Sequence, residues 1–236
     1  MFLQILTLSS GRRLRIAALY VGWILTVTVQ AAQSEPYIDL YGGWSKGKNT
    51  DVSASQRTCS VLGCNSSVRA THSLAFESGA SAGVRGGLWF NQLPWFGMAG
   101  DFSYFQSASR PMTIDSFALT ATPMVRLQLF TTQDKPHGLV QPYIGAGPAV
   151  VVHSVSADFQ PASSVALAGW SIGVGWTARA GLAVSLTDHI AFFSEWRLSQ
   201  DRINLRQNGF FGLGDQGRLD MTQTTRHYLF GLSYRF

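Results

Sequence analysis

The stretch "WSIGVGWTARAGLAV" separates into two lists when read at every second residue. Ile172, Val174, Trp176, Ala178, Ala180 and Leu182 fall on one side, and Ser171, Gly173, Gly175, Thr177, Arg179 and Gly181 on the other. Strand side chains alternate between faces, so a period of two predicts a strand with one face in each environment. The same reading predicts seven more strands. "PYIDLYGGW" sets Ile38, Leu40 and Trp44 against Asp39 and Tyr41. "GASAGVRGGLWF" sets Val84, Leu88 and Phe90 against Ser81, Gly83, Arg85 and Gly87. "WFGMAGDFSYF" opposes Phe96, Met98, Phe102 and Tyr104 to Gly97, Ala99, Asp101 and Ser103. "DSFALTATPMVRLQLF" opposes Phe117, Leu119, Val125, Leu127 and Leu129 to Ser116, Thr120, Thr122, Arg126 and Gln128. "VQPYIGAGPAVVV" is small or apolar on both faces, and Pro142 and Pro148 each remove a ladder donor. "HIAFFSEWRLSQ" places Glu195 and Arg197 opposite Trp196 and Leu198. The final "RHYLFGLSYRF" carries Tyr228, Phe230, Leu232, Tyr234 and Phe236 on one face.

The connections alternate in length. Asn91 to Pro94, Thr131 to Gly138 and Thr187 to His189 are short and carry turn residues. Lys46 to Ser78, Ser156 to Ala168 and Asp201 to Met221 read as long or polar loops, and Ser107 to Met112 as a compact one. Short turns on one side and loops on the other predict an up-and-down, eight-stranded antiparallel transmembrane β-barrel, all-β. The bulky residues share one face, while Gly, Ser, Thr and charges share the other. Eight strands leave an interior that side chains just fill, so the small and charged face points inward and the bulky face meets lipid. Closure follows, because an open strand edge in hydrocarbon costs several kcal/mol per bare backbone group, roughly. A soluble lipocalin-like barrel, greasy inside, is the competing architecture.

Composition agrees with strands in a membrane. Charged residues make up only 13%, against about 25% in soluble domains. No segment beyond residue 31 gives the ~18 apolar residues of a spanning helix. Before residue 31, Arg12, Arg13 and Arg15 precede an apolar run from Ile16 to Val27 and the small-residue site Val29-Gln30-Ala31. This is the layout of a cleaved signal peptide over 1–31, with the barrel over 36–236; an uncleaved anchor is the rival reading. The leader holds three of the 18 basic residues and none of the 13 acidic ones, so the remainder carries 15 against 13. A net charge of +2 gives no reason to expect nucleic-acid binding.

The segments "YIDLYGGWS", "QPYIGAGPAV", "SEWRLS" and "LFGLSYRF" resemble the small eight-stranded outer-membrane barrels, especially the opacity-type porin family and the membrane domain of OmpA. The resemblance covers residues 36–236. It implies a bacterial outer-membrane location, lipid and lipopolysaccharide surroundings, and a terminal Phe236 read by the barrel assembly machinery. No peptidoglycan-binding domain is expected in the length that remains.

Inside such a barrel Asp39, Arg85, Asp101, Arg126, Arg179, Glu195, Arg197 and Arg235 point inward. Buried charges are costly alone, so they are expected to pair and plug the lumen. A small-solute or ion pore is the alternative. Cys59 and Cys64, in an exported protein, are expected to form one local disulfide. Only His72 stands near them, too few ligands for zinc. No catalytic, cofactor or metal site is expected. His153-Ser154 and Arg226-His227 stand near strand tops and read as solvated rim residues, with a lipid A-modifying enzyme as the second alternative. The best-supported role is structural, in a monomer whose loops meet an extracellular ligand.

Overall fold

The computed structural model describes residues 34–48, 50–60, 63–64, 68–109, 112–132, 137–158, 166–207 and 214–236. For 50–60, 63–64, 68–74, 157–158, 166–168, 205–207 and 214–219 the description is of backbone only. The leader expected over 1–31 lies outside the described residues.

Eleven strands occur among the described residues: β1 (Ser34–Gly47), β2 (Thr50–Ser60), β3 (Gly63–Cys64), β4 (Val68–Leu74), β5 (Ser78–Phe90), β6 (Leu93–Ser109), β7 (Met112–Arg126), β8 (Val140–Asp158), β9 (Ala166–Ser185), β10 (Ile190–Gln207) and β11 (Gly214–Arg235). Eight of them, β1 and β5 to β11, form a closed antiparallel barrel. Closure is made by β1 on β11, in a register running from Tyr37↔Arg235 to Gly47↔Thr225. The eight-stranded antiparallel β-barrel expected from the alternation is therefore the fold. No helix among the described residues is long and apolar enough to cross a membrane.

The inside-out polarity is equally plain. Ile172 and Val174 are 73% and 70% exposed on the outer wall, whereas Arg126 and Arg179 are 1% and 2% exposed inside. Outward aromatic residues gather at two levels. Trp44 stacks on Tyr228 at 6.0 Å toward the loop end, and Phe90 on Phe96 at 5.8 Å toward the turn end.

Several boundaries differ from the sequence reading. The long loop expected over Lys46 to Ser78 contains β2, β3 and β4, and the upper end of β11 pairs with β2 from Gly214↔Cys59 to Asp220↔Ser53. The loop expected over Asp201 to Met221 is largely strand, since β10 and β11 stay paired as far as Gln207↔Gly217. These segments are polar and lack an apolar lipid face, so hydropathy alone read them as coil. The strand expected to reach Phe130 ends at Arg126, with an isolated bridge at Leu129. Around the two prolines the β7–β8 ladder lapses between Thr120↔Ala149 and Met124↔Gly145, then resumes in the same register. Pro123 and Pro148, each without an N–H, share that lapse.

The polarity also reverses toward the loop end. There Met112, Ile114, Val155 and Ile203 turn inward and are at most 2% exposed. Their outward neighbours Ser156, Arg202, Asn204 and Thr222 are polar and exposed. The uniformly small and polar interior expected from the sequence is not found, since even the lower barrel buries Trp89, Met124, Phe193 and Leu229 beside its charges. Strands of 18 to 22 residues, such as β10 and β11, exceed the ~9–11 needed to cross a bilayer. The upper segments follow the ordinary rule of an apolar inside and a polar outside.

Three inward tyrosines each lie across a glycine on the neighbouring strand: Tyr41 on Gly83, Tyr37 on Gly87 and Tyr143 on Gly181. A Cβ at any of the three glycines would run into the tyrosine ring or hydroxyl. Gly83→Val is expected to displace Tyr41 and to cost about 1–3 kcal/mol through overpacking. The urea midpoint of the refolded barrel in detergent measures it, and an unchanged midpoint would refute this seat.

Candidate functional site: the charged lumen

The inward faces of five strands bring six charges into one neutral cluster at the middle of the barrel. Asp101 on β6 is its hub. Its Oδ2 lies 3.2 Å from Arg85 Nε, 3.2 Å from Arg179 Nη1 and 2.9 Å from Arg197 Nη2. Tyr41 donates its hydroxyl to Asp101 Oδ1 at 2.7 Å, and Arg197 Nη1 donates back to Tyr41 at 3.2 Å. Glu195 accepts from Arg85 at 2.6 Å, from Arg197 Nε at 3.0 Å and from Tyr143 at 2.8 Å. Asp39 accepts from Arg85 Nη1 at 3.1 Å. Arg179 Nη2 donates to Thr120 and Thr122, at 3.1 and 3.2 Å, while its buried Nε has no hydrogen-bond partner among the described residues. Three arginines face three carboxylates, so the charges balance, and the guanidinium forks suit shared carboxylates.

A second cluster closes the turn end. Glu35 lies 2.7 Å from Arg126 Nη2 and 3.5 Å from Arg235 Nη1. Both arginines also donate to Gln141 Oε1, at 3.3 and 2.9 Å. Arg126 reaches the Pro94 carbonyl at 2.8 Å and lies over the Trp89 ring at 4.4 Å. Between the two clusters is a cavity of ≈ 30 Å³, lined among others by Asp39, Arg85, Tyr143 and Arg235. That volume holds about one or two water molecules and no larger solute.

The eight interior charges named from the sequence thus divide between two groups. Asp39, Arg85, Asp101, Arg179, Glu195 and Arg197 belong to the central one, and Arg126 and Arg235 to the lower. Sequence reasoning missed Glu35, because it precedes the first clearly alternating residues. It placed Tyr41 on the inner face beside Asp39 without a partner, and missed Gln141, Tyr37 and Tyr143, whose inward parity was available from the strand phase.

His153 and His227, expected as solvated rim residues, are buried in the lumen at 0% and 2% exposure. The strands run several residues beyond them, which puts both well inside. His153 Nδ1 lies 2.9 Å from Ser116 Oγ, and its Nε2 lies 2.7 Å from Asp201 Oδ2. His227 bonds Ser81 and Ser199 at 3.4 and 3.1 Å and sets its ring edge-on to Phe105. Ser116, His153 and Asp201 have the connectivity of a nucleophile relay, but Ser116 is fully buried. No ester reaches its oxygen in this arrangement, and Asp201 Oδ1 is left without a hydrogen-bond partner among the described residues. Ser154, paired with His153 in the sequence reading, points to the opposite face. Among the described residues no group of three or more His, Cys, Asp or Glu side chains gathers as a metal site.

Cys59 and Cys64 are direct register partners between β2 and β3. Antiparallel partners have Cα atoms about 4.5–5.5 Å apart, within the 4.4–6.8 Å that a disulfide spans, roughly. Their side chains lie outside the description. Phe236 is 65% exposed on the outer wall, and its N–H donates to the Pro36 carbonyl at 3.1 Å.

No protein-family model matches the chain, and no curated protein matches it by sequence. Solved structures of similar fold include Neisserial surface protein A, at 14% identity over 85% of this chain and 97% of that one, with a TM-score of 0.45. The outer membrane protein OprG from Pseudomonas aeruginosa is 15% identical over 86% of this chain and 97% of its own, with a TM-score of 0.48. Ail, the attachment invasion locus protein of Yersinia pestis, solved with the heparin analogue sucrose octasulfate, is 13% identical over 86% of this chain and 99% of its own, with a TM-score of 0.40. These are likenesses of fold alone.

Proposed function

We propose that this protein is a monomeric bacterial outer-membrane barrel, delivered by a cleaved leader over 1–31, whose role is structural and whose loop end meets partners at the cell surface. The inverted wall carries the reading. A surface with Leu40 at 70%, Ile172 at 73% and Val174 at 70% exposure has no place in water, and lipid is the solvent that suits it. The turn end then faces the periplasm, and Phe236 at that rim offers the terminal aromatic to the assembly machinery. Outer-leaflet lipid and lipopolysaccharide surround the wall. Cell fractionation combined with heat-modifiability on a gel tests location and closure together. The expected result is an outer-membrane band that migrates faster unheated; a soluble protein without a mobility shift would overturn the reading.

The balanced central cluster supports a plug over a pore. Arg85 alone ties Asp39, Asp101 and Glu195 from three strands into one knot across the lumen. In planar bilayers the wild-type barrel is expected to show no discrete conductance steps, and reproducible steps would favour small-ion passage. A lipid-modifying activity ranks behind both, because Ser116 is sealed beneath the apolar layer of Met112, Ile114 and Val155.

A further inference from the structure

On the outer wall, Lys46 of β1 and Arg226 of β11 are direct register partners. Both are exposed, and their chain neighbours Ser45, Gly47, Thr225 and His227 are buried on the inner face. Like charges opposite one another in a sheet repel. Here no carboxylate intervenes, and neither cation has an ion pair among the described residues. Lys48 follows the end of β1, with its backbone N–H on the Thr224 carbonyl at 2.7 Å. Arg202 of β10, exposed and opposite Thr222, extends the same face outward. The nearest acid on this face of β11, Asp220, stands three outward positions farther from the barrel's middle and has interactions of its own.

The height of this pair identifies what would relieve it. One outward position nearer the barrel's middle are Trp44 and Tyr228, stacked at 6.0 Å. Next toward the middle are Phe230 and then Leu40 opposite Leu232, all exposed. Aromatic residues of this kind mark the edge of the hydrocarbon. Two residues along a strand tilted by about 40° rise ~5 Å, which sets Lys46 and Arg226 at the level of lipid headgroups. A soluble anion would need no greasy wall beneath it. A phosphorylated lipid would use both parts, with its phosphate on the cations and its acyl chains along Phe230, Leu232 and Leu40.

We propose that Lys46 and Arg226, flanked by Lys48, form a docking site for the phosphate of an outer-leaflet glycolipid. This deepens the membrane reading above and rests on it.

The test uses the full barrel folded in detergent. Retention of a bis-phosphorylated disaccharide lipid is measured by native mass spectrometry, beside its dephosphorylated counterpart with the same acyl chains. The Lys46→Gln/Arg226→Gln double variant is expected to bind the phosphorylated lipid at least ten-fold more weakly, with heat-modifiability unchanged. The charge-preserving Lys46→Arg/Arg226→Lys variant should bind as the wild type does. Equal binding by the glutamine variant, or equal binding of the dephosphorylated lipid, overturns the proposal. So does full displacement of the lipid by millimolar inorganic phosphate, which would make the site one for soluble anions. A barrel that stays heat-modifiable yet fails these tests keeps the membrane reading and loses the lipid site.

Discussion

Asp101→Ala is expected to prevent the barrel from refolding stably in detergent. The carboxylate touches Arg85, Arg179 and Arg197 and accepts from Tyr41. Its removal leaves three buried guanidinium groups facing two carboxylates. Breaking one partner out of a buried ionic group costs about 3–5 kcal/mol, because the remaining charge is uncompensated. That is a large share of the 5–15 kcal/mol that holds a typical domain, roughly. The urea midpoint followed by tryptophan fluorescence or heat-modifiability reads the effect. A midpoint within error of the wild type would show that the central cluster contributes little to the fold. Asp39→Ala is the useful comparison: Asp39 accepts from a single arginine, so the loss should be smaller.

The second large effect belongs to the outer wall. Leu40 pairs with both Leu232 and Val84 and is 70% exposed, midway between the two aromatic levels. In a bilayer, Leu40→Arg should destabilise the barrel by about 2–4 kcal/mol, the cost of an arginine on a lipid face near the midplane. Were this wall in water, the same change would be nearly neutral. Refolding into vesicles of defined composition, followed across a urea series, separates the two cases. A neutral result would remove the main support for membrane residence. Arg202→Leu serves as the opposite control, since Arg202 stands on the polar outer face near the loop end.

Much of this architecture can be read from the chain because the outer wall and the lumen differ so sharply along each strand. The alternation in "WSIGVGWTARAGLAV" gives both the strand and its inner face, so Arg179 can be placed without a structure. Parity alone, however, does not assign partners. Nothing in the sequence says that Asp101 rather than Asp39 gathers three arginines, because that depends on stagger between strands. The tyrosine seats are a nearer miss. Tyr37, Tyr41 and Tyr143 share inward parity with the charges, and glycine-rich neighbours such as "SAGVRGG" hint at facing space. The least legible part is the loop end. There the greasy face turns back inward at Ile114, Val155 and Ile203, and a reading tuned to outward-facing apolar residues sees only polar coil. The burial of His153 and His227 follows from the same oversight, since both lie just beneath that reversal.

The reversal also sets how far the protein stands above its surroundings. From Arg226 to Gly214, β11 climbs twelve residues, a rise of ~30 Å at the usual tilt. That upper storey is buttressed on one side by β2. With the lower wall in a bilayer, as proposed, a molecule approaching the cell would meet its crown well clear of the headgroup plane.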